Sequence, residues 1–349
     1  MTPVTPPGVR RRVFHRWRVL LAWLLAAVSA ATVIAAVMLW PPPRRVVRFP
    51  DGKRFALTIV DDTDLATLSR AKPVYDALYE AGLRTTKTVW ALPIVDKPAP
   101  ADFGDTLQDA GYRAFILDLK SKGFEIALHG VRGGSSPRET SIKGLDEFKA
   151  ITGADPSLFV NHALNLDDLY WGKYRLTFAP YRWLFGVTSE TQFAGHLPES
   201  PYFWADVAKQ RVKYVRRFVF SEINVLRVSP SVPYQLDETP YVNYWFDSSD
   251  GGSLDQFEAL LSPENLDRLE REGGACIIYA HLGAGSFNKD GRAHPRFLNV
   301  IREVGRRPGW FVPATQLLDY LAAQPGWNPK SSLRERIRLE TTYLVDWVM

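Results

Sequence analysis

The sequence predicts an α/β fold built on a mainly parallel sheet or barrel. The first observation is the alternation of short apolar, β-branched runs with helical stretches between residues 55 and 323. The second is how those runs stop. FALTIV, at 55–60, ends on Asp61, Asp62 and Asp64, while FEIAL, SLFVN and CIIYA end on His129, His162 and His281. In parallel α/β folds the C-terminal strand ends share one rim, where sites collect. Unpaired charge is costly to bury, so acids crowded at the end of a core strand need a reason, and a cation is one.

Each element has its own signals. A helix over 65–81 closes at Gly82 and is interrupted or kinked at Pro73. A strand over 85–92 precedes a polar, Pro-containing loop. A helix over 106–122 ends at Gly123, and a strand over 124–128 leads to His129. After a Gly- and Ser-rich loop come a helix over 142–152 and a strand over 157–161. Residues 170–214 are aromatic without clear periodicity. Their rings, Trp171 and Trp204 among them, read either as a sugar-binding face or as ordinary packing. Strands are expected over 215–226 and 241–246, the second running into Asp247-Ser248-Ser249-Asp250. A helix over 254–261 is followed by another with Ser262 as N-cap, Pro263 as first residue and Gly273-Gly274 as stop. Strands over 275–280 and 309–312, and a helix from Pro313 to about 323, complete the domain. The tail over 331–349 is amphipathic.

The basic pI of about 9.2 belongs to the leader. Residues 1–48 hold eight arginines and no acid, leaving 35 Lys and Arg against 38 Asp and Glu in the rest, a net −3. That balance argues against nucleic acid as a partner. Residues 19–40 form an uncharged, almost wholly apolar run of the length that spans a bilayer. Five arginines precede it and three follow, favouring a cytoplasmic N-terminus. The expected organisation is a basic cytoplasmic segment (1–18), a transmembrane anchor (19–40), a linker (41–54), the α/β domain (55–325) and a tail (326–349). The expected location is the plasma or inner membrane, single-pass, with the domain outside the cytoplasm. Val28-Ser29-Ala30 also reads as a small-residue cleavage site. The single cysteine, Cys276, reads as a buried structural thiol.

At its strand-end residues the chain resembles the polysaccharide deacetylases, the NodB-homology carbohydrate esterases. Ile59-Val60-Asp61-Asp62 is similar to their first motif, Phe124 to Gly130 to the second, Asp247 to Asp250 to the fourth, and Ile278-Tyr279-Ala280-His281 to the last. The resemblance implies a distorted (β/α) barrel of about seven strands and a metal-dependent deacetylase of an N-acetylated or O-acetylated polysaccharide. By carry-over Asp61 is the catalytic base, Asp62 and His129 bind one divalent ion, most simply zinc, and His281 is the catalytic acid. Asp247, Asp250, Trp171 and Trp204 are expected to contact substrate. The family's second metal-binding histidine falls on Gly133, and its Arg-Pro type third motif on Asn161-His162-Ala163, so His162 is the candidate third ligand. Asp64 reads equally as a helix N-cap and as part of the site. Two alternatives fit the residues: a catalytically inactive glycan-binding relative, which metal content separates from the enzyme, and a haloacid-dehalogenase-type phosphatase using Asp62-x-Asp64-x-x-Thr67.

Overall fold

A computed structural model describes residues 45–95, 102–188 and 192–348, with positions 32, 34–36 and 38 before them. The leader and nearly all of the expected anchor over 19–40 lie outside the described residues. Among the described residues, no helix is long and apolar enough to cross a membrane.

Seven parallel strands close a barrel: β1 (Phe55–Asp61), β2 (Thr86–Val89), β3 (Glu125–His129), β4 (Leu158–Val160), β5 (Tyr214–Phe220), β6 (Tyr244–Asp250) and β7 (Ala275–Ala280). Neighbours pair in chain order, and β7 returns to β1 from Ala56↔Ala275 to Asp61↔Ala280. The other edge of β1 is shared. A further strand, Gly309–Phe311, pairs with Phe55 to Leu57, while β2 pairs only at Val60 and Asp61. β1 is therefore buried along its whole length, which is why it reads as a continuous apolar run.

Most elements fall where their signals put them. Ser262 accepts from the Asn265 amide and caps helix Pro263–Glu272, which ends on Gly273 in the left-handed conformation. Pro73 sits inside helix Leu68–Glu80, whose N-cap position is held by Thr67 and not by Asp64. The strand expected over 215–226 stops at Phe220, and Val225–Val228 is a short helix capped by the Asn224 side chain. Asp247 to Asp250 lie inside β6 instead of in a loop after it. The aromatic stretch holds two helices, Ala179–Thr188 and Ala205–Arg211.

The tail is tied to the barrel. Helix Leu333–Val348 carries Glu340, fully buried, which accepts from Arg217 Nη2 at 2.7 Å and from the Thr177 and Phe178 amides. Arg216 and Arg217 are adjacent on β5 and so serve opposite faces. Arg217 holds the tail from outside, and Arg216 reaches Asp62 within.

Candidate metal centre and cavity

Parallel strands deliver their last residues to one rim, and the chain uses this at four of them, β1, β3, β4 and β7. β1 supplies three carboxylates, and each meets a different partner.

Asp61 is fully buried. Its Oδ2 lies 2.9 Å from Lys87 Nζ on β2 and accepts from the Tyr75 hydroxyl at 2.9 Å, while its Oδ1 accepts from the Leu282 amide at 2.7 Å. Burial opposes the charge on Lys87, but Asp61 outweighs it and the ammonium is held above its usual range. Asp61 was expected to be the base. In the structure it lies below the rim among these partners, and it is not among the residues that border the cavity described below.

Asp62 faces inward at the rim. Arg216 holds both its oxygens, Nη1 to Oδ1 at 2.9 Å and Nη2 to Oδ2 at 2.5 Å. Burial pushes its carboxyl up, but Arg216 and then His129 pull it below the usual range. The closest approach of His129 Nε2 to it is 3.9 Å.

Asp64 stands at the centre. His129 Nε2 and His281 Nε2 each lie 3.0 Å from its Oδ2, and His162 Nε2 lies 2.8 Å from its Oδ1. Burial raises its carboxyl, yet the three imidazoles together, His129 foremost, pull it far below the ordinary carboxylate range. The contact with His162 lacks hydrogen-bond geometry although both atoms are buried. Asp64, His129 and His162 place one ligand atom each within 4.8 Å of one another, as do Asp62, Asp64 and His281. This donor set of imidazole nitrogens and carboxylate oxygens suits a divalent ion.

His162 is set by the loop after β4. Its amide donates to Asp168 Oδ1 at 3.1 Å, and Asn161 bridges to Leu169 in both directions at 2.9 Å. Its Nε2 also lies 3.1 Å from Asp102 Oδ1. A Cβ on Gly133 would sit 3.0 Å from the Asp102 Cβ and 3.3 Å from both Ile94 and Trp90. A side chain at the position that carries a histidine in the resembled family would thus need these neighbours to give by a few tenths of an ångström, and His162 enters from the end of the neighbouring strand.

These groups border a cavity of about 610 Å³ lined in part by Asp62, Asp64, His129, His162, Trp171, Arg175, Arg216, Tyr279 and His281, within the range of small-molecule sites. His281 is the more open of the histidines at 23 % side-chain exposure. Burial lowers its affinity for a proton, but Asp64 and Asp62 reverse the balance and raise it.

Three expected substrate contacts lie elsewhere. Asp247 is fully buried and accepts from the Phe218 amide at 3.1 Å and the Tyr234 hydroxyl at 3.2 Å. Asp250 accepts from the Gly252 amide and Gln256 and caps the turn after β6. Trp204 is buried against Phe159 and donates to the Asp167 carbonyl at 2.7 Å. A large ring between helix and sheet is better packed inside than offered to solute; of the named contacts, Trp171 alone reaches the cavity. The sequence reading missed Arg216 and Lys87. The signal was present in YVRRFVF and TKTV, where cations interrupt buried strands.

No family model matches the chain, and no curated protein matches it. Among solved structures it is similar to a protein described as a polysaccharide deacetylase from Mycobacterium smegmatis, at 14 % identity over 84 % of this chain and 98 % of that one, with a TM-score of 0.49. It is also similar to the Puue allantoinase, at 13 % identity over 82 % and 96 % of the two chains (TM-score 0.45). A third is the peptidoglycan deacetylase PdaC of Bacillus subtilis, at 12 % identity over 78 % and 93 % (TM-score 0.37). At these identities and scores the functional reading rests on the chain's own residues.

Proposed function

We propose that this protein is a metal-dependent deacetylase of an N-acetylated or O-acetylated glycan. The observation that carries the reading is Asp64 shared by three strand-end histidines, beside an Asp62–Arg216 pair in one cavity. The ligand role assigned by resemblance to Asp62 passes to Asp64, joined by His129 and His162, and the base role passes from Asp61 to Asp62. A divalent ion there, zinc being the ordinary choice for this donor set, supplies Lewis acidity toward the acetyl carbonyl. Arg216 keeps Asp62 ionised, so its carboxylate can take a proton from the attacking water. His281 holds a proton at Nε2 for the departing amine or alcohol. Leu65, Leu164 and Trp171 give the cavity apolar walls that hold a sugar and limit water.

The anchor over 19–40 and its flanking arginines support a cell-envelope or exported glycan as substrate, met outside the cytoplasm. The test uses the full chain from membranes. About one divalent ion per chain is expected by elemental analysis, with acetate released from acetylated oligosaccharides and lost on chelation. A reporter fused after Met349 is expected to be active outside the cytoplasm. Metal-free protein of full activity overturns the chemistry, and a reporter active only inside overturns the location.

A further inference from the structure

Two guanidiniums line the cavity, Arg175 and Arg216. Arg216 is committed to Asp62. Arg175 makes no ion pair with a carboxylate among the described residues. Its guanidinium lies over the Trp171 ring, 3.1 Å from the centroid, and Nη1 donates to the Tyr343 hydroxyl at 3.1 Å. Its Nε is buried without an acceptor. The nearby Asp168 gives its Oδ1 to the His162 amide and forms no ion pair with the guanidinium. An arginine side chain keeps its charge at any ordinary pH. A fixed, desolvated positive charge on a cavity wall, short of one acceptor, is costly unless a ligand completes it.

We propose that Arg175 anchors an anionic subsite, so that the glycan taken by this cavity carries a carboxylate, as in a uronate, close to its acetylated sugar. The planar fork of a guanidinium matches a carboxylate through two parallel hydrogen bonds. A single negative charge fits better than a phosphate dianion, because Asp62 and Asp64 share the cavity. The assignment rests on the reading of the cavity as a glycan site and names the substrate class within it.

The test is calorimetric titration of the full-length protein in detergent with two acetylated tetrasaccharides. One is neutral chitotetraose, and the other is a hyaluronan tetrasaccharide that alternates N-acetylglucosamine with glucuronate. The parent is expected to bind the acidic ligand about ten-fold more tightly or better. Arg175→Gln loses that preference and Arg175→Lys keeps part of it. Tyr343→Phe, which removes the hydroxyl that Arg175 touches, keeps it in full; a merely structural arginine would make Tyr343→Phe and Arg175→Gln behave alike. Equal parental affinity for the two ligands, failure to bind either, or a preference that survives Arg175→Gln overturns the proposal. Acetate release in the same samples separates the two readings. A preference without acetate from either ligand leaves the subsite and removes the deacetylase, and acetate release without a preference does the reverse.

Discussion

Asp61 and Asp64 are three residues apart at the end of one strand, and they meet opposite surroundings. Asp61 lies below the rim with an ammonium, a hydroxyl and an amide of its own chain around it, so its charge is settled by folding. Asp64 lies above the rim facing three imidazoles within 3.0 Å. The first arrangement is complete and stabilises the barrel. The second leaves His162 Nε2 and Asp64 Oδ1 buried side by side without a hydrogen bond, in a cluster of ligand atoms that is open to a cation. The difference teaches that an acid at a strand end becomes functional when the fold leaves its compensation unfinished.

The largest expected effect breaks the finished half. Lys87→Ala leaves Asp61 charged and buried, and should lower the unfolding free energy by about 3–5 kcal/mol in a urea titration. A loss below about 1 kcal/mol would mean that Tyr75 and Leu282 suffice for Asp61. The open half should respond differently. Asp64→Ala is expected to weaken cobalt binding by about 100-fold or more, followed by visible absorption, while costing less stability than Lys87→Ala. Unchanged cobalt affinity would place the ion elsewhere.

Asp247 sharpens the comparison with a third fate, a buried acid that holds its proton to a higher pH than a free carboxyl does. Burial pushes it up to about 6, against the pull of Arg217, which is engaged with Glu340. Between about pH 4 and 6 the folded chain then holds a proton that the unfolded chain has lost. Its contribution to stability therefore falls as pH rises through that window, and the deficit persists above it. Asp247→Asn cannot ionise, so relative to the parent it should gain on the order of 2–3 kcal/mol between pH 4 and 7. A constant difference across that range would show that Asp247 is ionised throughout. The smallest effect concerns the histidine position that the chain does not use. Gly133→His meets Asp102, Ile94 and Trp90, and should cost about 1–3 kcal/mol without raising cobalt affinity. Tighter metal binding in that variant would show that the site accepts the family's second histidine after all.

Much was determined by the sequence alone. A buried parallel strand needs an apolar run, and a residue that ends such a run must lie at the rim, so strand periodicity sufficed to bring the three acids of β1 together with His129, His162 and His281. The capping of helix Pro263–Glu272 was equally local, being written in Ser262, Pro263 and Gly273. Only the tertiary structure decided which acid does what. Asp61, Asp62 and Asp64 look alike in a linear reading, and their roles follow from Lys87 on β2, Arg216 on β5 and histidines on β3, β4 and β7, each brought close by barrel closure. The burial of Trp204 and Asp247, the docking of the tail through Glu340, and the approach of Asp102 to the Gly133 position are likewise contacts between distant segments. Periodicity reports which way a side chain points along its own element. What waits there depends on the neighbouring strand, whose register is set by the closed sheet.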